Sequence, residues 1–238
     1  MKRFIILLLI LCFSFPLLFA REGNSWYLGV SSGYTYDMIK TQTGYKQGLK
    51  YLGGHGFSVS VPVTYQINSF MGLSSGLSYV QKNYRFEYNY YELNDYPLNA
   101  YENVVNHYLE LPLTIDFTLE NGLFTTFAGF GGYVGYWVGS NRNGQARGSS
   151  YDLAEKQGEY NYYSGSYTFS KADNRFEAGL LFKAGLELDF KPILIRLDLS
   201  YSLGLTDMRR NQIFNYSPLI NDTLKAEVGL LWGFGGER

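Results

Sequence analysis

The chain has 238 residues, a formal net charge of −1 and only 17% charged side chains; that balance leaves no basic surface for nucleic acid. Its single cysteine, Cys12, excludes a disulfide framework. After the first twenty residues no stretch approaches 18 consecutive apolar side chains, so no helical membrane span is expected. The excess lies elsewhere, in 23 Tyr, 17 Phe and 27 Gly.

In chain order, residues 1–20 come first. Lys2 and Arg3 precede an apolar run from Phe4 to Phe19, and Ala20 stands before Arg21-Glu22. A basic start, an apolar middle and a small residue at the cut are the parts of a secretory signal peptide, which leaves 21–238 as one domain. Leu9-Ile10-Leu11-Cys12 departs from a lipidation box, because Leu11 is bulky where a small residue is needed.

Eight segments then alternate with period two, the period of a strand with unlike faces. The first is Ser25–Met38, with Trp26, Leu28, Val30, Tyr34 and Tyr36 against Gly29, Ser31, Gly33 and Thr35. The second, His55–Ile67, sets Phe57, Val59, Val61, Val63, Tyr65 and Ile67 against Ser58, Ser60, Pro62, Thr64 and Gln66. The third, Phe70–Phe86, sets Met71, Leu73, Leu77 and Tyr79 against Gly72, Ser74, Gly76 and Ser78. The fourth, Val105–Leu119, is the strictest: Leu109, Leu111, Leu113, Ile115, Phe117 and Leu119 alternate with Glu110, Pro112, Thr114, Asp116 and Thr118. In the fifth, Gly122–Val138, the faces are ambiguous; Phe124, Ala128, Phe130, Val134 and Tyr136 are favoured outward, which turns Tyr133 and Trp137 inward. The sixth, Arg175–Phe190, sets Phe176, Leu180, Phe182, Leu186, Leu188 and Phe190 against Glu177, Lys183, Glu187 and Asp189. The seventh, Ile193–Leu205, sets alternate Ile, Leu and Tyr against Arg196, Asp198, Ser200 and Ser202. The eighth, Leu224–Phe234, sets Leu224, Val228, Leu230, Trp232 and Phe234 against Lys225, Glu227, Gly229 and Gly233.

The connections alternate as well. Asn68-Ser69, Glu120-Asn121 and Lys191-Pro192 read as tight hairpins, whereas 39–54, 87–104, 139–174 and 206–223 are long and polar. Outer-membrane barrels have short periplasmic turns and longer extracellular loops. A soluble barrel or sandwich would bury the apolar stripe and has no need of that loop asymmetry. The expected fold is all-β: an eight-stranded antiparallel transmembrane β-barrel, an up-and-down meander with short periplasmic turns and long extracellular loops.

The segments His107–Leu113, Phe127–Tyr136, Phe182–Leu188 and Leu197–Leu205, in this order, resemble the PorT-like outer-membrane β-barrel family, often described as porin family proteins. Tyr108–Leu113 followed by Ala128–Tyr136 is the signature pair. The resemblance covers nearly the whole chain after the leader. It implies an eight-stranded outer-membrane barrel, implies little about activity because most members have none assigned, and suggests an accessory part in a secretion machine. Gly131 stands where many members have Pro, and 139–174 is long.

No motif carries catalysis. Gly72-Leu73-Ser74-Ser75-Gly76 matches a nucleophile elbow, which needs a strand–turn–helix setting, but it lies inside an alternating strand. His55 and His107 fall near the rim, and parity turns His107 away from Glu110. No clustered His, Cys or carboxylate spacing fits a structural metal site. The acidic stretch Tyr90–Tyr96 reads as a solvated loop, and the sequon Asn221-Asp222-Thr223 as coincidence.

The inner face is the most informative set. Glu110, Asp116, Glu177, Lys183, Glu187, Asp189, Arg196, Asp198, Lys225 and Glu227 all take inward positions. Eight strands enclose little space, and a buried charge without a partner is costly. A closed network of pairs is therefore expected rather than a diffusion pore, with Arg196 meeting Glu177, Glu187 or Glu227. Function then falls to the loops. Tyr84, Phe86, Tyr88, Tyr90, Tyr91, Tyr96 and Tyr101 gather near the second, and Tyr151, Tyr160, Tyr162, Tyr163 and Tyr167 punctuate the third. Rigid aromatics with polar tips make good contact surfaces. The expected product is a non-enzymatic outer-membrane protein without cofactor. Its partners would be outer-membrane lipid and an extracellular or envelope protein met through loops 39–54, 87–104, 139–174 and 206–223. The alternative is a small pore or an accessory of a transport or secretion system.

Overall fold

A computed structural model describes residues 23–41, 49–88, 100–122, 124–147, 160–210 and 218–235. The leader 1–20 lies outside the described residues, as do Tyr90, Tyr91, Tyr96 and Tyr151. Among the described residues there are nine strands: β1 Ser25–Lys40, β2 Leu49–Gln66, β3 Met71–Tyr88, β4 Ala100–Asn121, β5 Phe124–Arg147, β6 Tyr160–Ser166, β7 Phe176–Phe190, β8 Ile193–Gly204 and β9 Ile220–Gly235.

Eight of them close a ring. Each pairs antiparallel with its neighbour in the order β1-β2-β3-β4-β5-β7-β8-β9, and β9 returns to β1 along its whole length, from Ser25 opposite Gly235 to Lys40 opposite Ile220. Closure removes every free edge from the wall, which is what makes strands usable as membrane spans. The ninth, β6, pairs only with the far end of β5, Asn141–Arg147. Sequence reading leaves β6 inside a loop because Tyr160–Ser166 has no apolar stripe.

All chain reversals of one kind gather at one end. Ile67–Phe70 is a tight turn in which the Asn68 carboxamide oxygen accepts the amides of Phe70 and Met71 at 3.0 and 2.9 Å. The β4–β5 reversal falls on Gly122, at φ 65°, a residue later than expected; Glu120 and Asn121 still pair with β5. Glycine enters that left-handed region without a Cβ clash. Lys191-Pro192 makes the third. At the other end the strands overrun: β4 has 22 residues and β5 has 24, against roughly 9–11 for a tilted membrane crossing. The expected long loops are therefore partly strand. β1 reaches Lys40, β2 starts at Leu49, β4 begins at Ala100 and β5 runs to Arg147, so Tyr101 belongs to the wall, while Tyr84 and Phe86 lie within β3 as expected.

The barrel is inside out relative to a soluble protein. Along β4, Leu109, Leu111, Leu113, Ile115, Phe117 and Leu119 are exposed, while Glu110, Thr114, Asp116 and Thr118 are buried. The same parity runs round the ring, and it settles β5: Phe124, Phe130, Val134 and Tyr136 face out, and Phe127, Tyr133 and Trp137 are buried inside. Trp26, Phe70, Phe124, Phe190, Trp232 and Phe234 stand on the outer face near the short turns, the place of an aromatic girdle. Leu113 is 57% exposed and Thr114 is 2% exposed. Leu113→Arg is therefore expected to cost roughly 2–4 kcal/mol in a bilayer, and Thr114→Ser almost nothing. Urea unfolding in lipid vesicles measures both; equal sensitivity would contradict the assignment of the two faces.

Candidate functional site: a filled lumen under an aromatic lid

Inward side chains stack in layers from the short turns upward. In the lowest layer Arg196 on β8 reaches Glu187 on β7, with Nε donating to Oε1 at 2.7 Å and Nη2 joining it. Its Nη1 donates to Thr64 Oγ1 at 3.3 Å, and its guanidinium lies 4.9 Å from the Phe127 ring centre. Beside it Lys183 pairs with Asp116 at 2.8 Å, and Thr114 Oγ1 donates to the same carboxylate at 2.9 Å. A charge-assisted pair with further hydrogen bonds is the form in which buried ions are tolerated.

The middle layer is looser. Glu227 accepts the hydroxyls of Ser58 and Ser60 at 2.6 and 3.0 Å, across the β9–β1–β2 wall. Lys225 stands 3.8 Å from Glu110. Lys183, Arg196, Asp198, Lys225 and Glu227 line a cavity of about 70 Å³ with small serines, room for only a few waters.

The upper layer centres on Lys82 of β3, which is fully buried. Its ammonium pairs with Glu110 at 2.8 Å and with Glu177, and it lies 5.0 and 4.9 Å from the ring centres of Tyr108 and Tyr133. Glu177 is held in turn by the Tyr133 hydroxyl at 2.6 Å and the Asn221 carboxamide nitrogen at 2.9 Å. Asp37 on β1 is also fully buried and accepts the Thr223 hydroxyl at 2.7 Å.

Above this the lumen becomes apolar. Tyr84, Val104, Tyr108, Trp137, Met208 and Leu219 form one buried cluster, with Tyr167 and Phe169 packed against it. Tyr108 and Trp137 stack at 6.0 Å, and Phe169 meets Trp137 edge-on at 4.8 Å. Backbone bonds tie two connections together over the mouth: Asn174 N to Met208 O at 2.9 Å and Arg210 N to Ala172 O at 2.7 Å. Arg175 Nε donates to Trp137 O at 2.8 Å, pinning the segment before β7 to β5. Tyr167 donates its hydroxyl to Asp173. Burial, and then that carboxylate, raise the Tyr167 phenol above its ordinary range, so it remains a protonated donor.

Nine of the ten inward charges expected from sequence lie on this inner wall. Glu110, Asp116, Glu177, Lys183, Glu187, Arg196 and Lys225 stand in ion pairs; Glu227 is held by serines, and Asp198 lines the cavity. Asp189 stands apart. It sits at the β7–β8 turn and accepts the Lys191 amide at 3.1 Å, because strand parity does not decide whether a terminal residue still faces the lumen. Lys82 and Asp37 escape the sequence reading, although each continues its strand's inward parity, from Gly72, Ser74, Gly76 and Ser78 on β3 and from Gly29, Ser31, Gly33 and Thr35 on β1.

These contacts pair the inward charges and fill the lumen, and both histidines stand apart from them. His107 lies on the outer face, 2.6 Å from the Tyr79 hydroxyl, and His55 lies outside against Tyr34. Gly72–Gly76 is continuous strand, and Asn221 of the sequon is buried. Among the described residues no group of three His, Cys, Asp or Glu side chains is placed to hold a metal ion.

Comparison with known proteins decides the family. The model of the outer membrane protein beta-barrel domain matches residues 14–210. The chain belongs to this family. It is an outer-membrane β-barrel protein, and the PorT-like assignment expected from the sequence is finer than this match. No curated protein sequence matches it. Among solved structures, OprG of Pseudomonas aeruginosa superposes with a TM-score of 0.52 at 12% identity, over 91% of this chain and 99% of that one. The attachment invasion locus protein Ail of Yersinia pestis covers 89% and 99% at 14% identity, with a TM-score of 0.39. The N-terminal β-barrel domain of Pseudomonas aeruginosa OprF covers 90% and 100% at 12% identity, with a TM-score of 0.41. At 12% identity the OprG likeness speaks to the fold alone.

Proposed function

We propose that this chain is a non-enzymatic outer-membrane barrel, freed of a leader at 1–20, whose lumen is shut and whose work is done by its long-loop end facing out of the cell. One observation carries the reading: ion-paired layers and an aromatic lid fill the lumen from Arg196 up to Trp137 and Met208. A wide diffusion pore takes 16–18 strands, and here eight enclose a packed interior. With transport through the lumen blocked, the loops are left to bind an extracellular or envelope partner. β6, with Tyr162 at 75% exposure, projects among them. The PorT-like motifs belong to this reading as a second role, an accessory surface for a secretion machine.

Two measurements test it. Purified protein in planar bilayers should give no ion conductance; steady single-channel steps would replace this reading with the small pore. On intact cells, added protease should cut within 139–174, while a label at Asn121 should stay hidden until the envelope is opened. Labelling of Asn121 on intact cells would reverse the orientation.

A further inference from the structure

Above the lid lies a second space of about 250 Å³, walled on its apolar side by Tyr51, Tyr84, Phe86, Trp137 and Tyr167. These rings come from four separate parts of the chain and are held as a set. Tyr51 contacts Tyr84 and Phe86 with ring centres 6.1 and 4.8 Å apart, and Tyr167 stacks on Trp137 at 6.2 Å. The polar side carries Glu102, Arg142, Asp173 and Arg209. Their charges are balanced and already engaged. Arg142 Nη1 donates to Glu102 at 3.3 Å, its guanidinium covers the Tyr167 ring at 3.6 Å, and Glu102 also accepts the Tyr163 hydroxyl at 2.9 Å. Asp173 accepts the Tyr167 hydroxyl and the Ser170 amide. At the floor, the Trp137 indole N–H is buried with no hydrogen-bond partner among the described residues.

This chemistry selects a ligand. Two acids against two arginines leave no net charge for an ion to neutralise. A purely apolar ligand would strip water from four charged groups and return no hydrogen bonds. An unpartnered buried donor marks a group waiting for an acceptor. A molecule with one apolar face for the rings and hydroxyls round its edge satisfies both walls. The volume lies below the roughly 300 Å³ at which drug-sized sites begin, so it admits a single ring.

We propose that this vestibule binds one neutral sugar ring, either free or as the terminal residue of a glycan. The proposal rests on the reading that the long-loop end faces outward. Aromatic faces stack on the C–H face of a pyranose, Glu102 and Asp173 accept from its hydroxyls, and Arg142 and the Trp137 N–H donate to them.

Trp137 also supplies the assay, since the other two tryptophans, Trp26 and Trp232, stand on the lipid face at 52% and 48% exposure. The full chain in phosphatidylcholine nanodiscs is titrated with the uncharged methyl glycosides of glucose, galactose, mannose and N-acetylglucosamine, and with oligosaccharides ending in each. Tryptophan fluorescence and saturation-transfer NMR are read together. At least one ligand is expected to saturate both signals, and Glu102→Gln and Arg142→Gln should each weaken it tenfold or more while heat-modifiable gel mobility remains that of the folded barrel. Saturation by a methyl glycoside assigns the free sugar as source; saturation by the oligosaccharide alone assigns a glycan terminus. No saturable response, a response to charged ligands only, or equal binding by both folded variants overturns the proposal. If cells still bind a surface partner in that case, the outward-facing reading stands without it. If glycoside binds yet the barrel conducts, the shut-lumen reading falls and the vestibule stands.

Discussion

Replacing Lys82 by Met should lower the unfolding free energy of the barrel by roughly 3–5 kcal/mol, the usual cost of stripping one partner from a buried ion pair. Two carboxylates depend on this ammonium. Glu177 keeps the Tyr133 hydroxyl and the Asn221 carboxamide, but hydrogen bonds do not cancel its charge. Among the described residues Glu110 keeps Lys225 as its cation, at 3.8 Å. Met fills a similar volume, so the loss is one of charge balance more than of packing. The triple variant Lys82→Met, Glu110→Gln, Glu177→Gln should recover most of it, because no uncompensated ion remains. Urea titration in lipid vesicles reads both. A single variant as stable as the parent would mean that water already solvates the upper layer. A triple variant no better than the single would mean that Lys82 acts through packing on Tyr108 and Tyr133.

Arg196→Ala should cost a comparable few kcal/mol. Glu187 is 0% exposed and would lose the guanidinium that holds it. Thr64 and the Phe127 ring lose a contact as well. Arg209→Ala, at the exposed rim, should be far milder. Conductance should not follow stability. The cavity beside Arg196 would widen, but the Lys82 layer and the Trp137–Met208 cluster still stand between it and the mouth. Arg196→Ala should therefore unfold earlier and remain electrically silent. Conductance appearing with this one change would show that the upper layers do not seal.

Strand parity was legible residue by residue, because alternation is local and accumulates along a segment. That is why Leu113 and Thr114 could be assigned to opposite faces, and why the charges of β4, β7, β8 and β9 could be placed inside. Parity likewise turns Tyr133 and Trp137 of β5 inward, where Glu177 and the lid receive them. The signal thins wherever no membrane imposes a stripe: β6 carries no alternation, and residues 49–54 of β2, 87–88 of β3, 100–104 of β4 and 139–147 of β5 read as loop.

Alternation by itself determined the fold class, the eight wall strands and the polar lining of the barrel. It could not determine which cation meets which anion. Lys82 and Glu177 are 95 positions apart, Ser58 and Glu227 are 169, and Arg196 and Thr64 are 132. Those meetings depend on the stagger of strands around a closed ring, where each register adds to the last, and on depth, which no two-residue period records. The lid and the vestibule above it depend on the fold for the same reason: Tyr51, Trp137, Tyr167 and Met208 belong to different segments, and only closure of the barrel brings their side chains round one space.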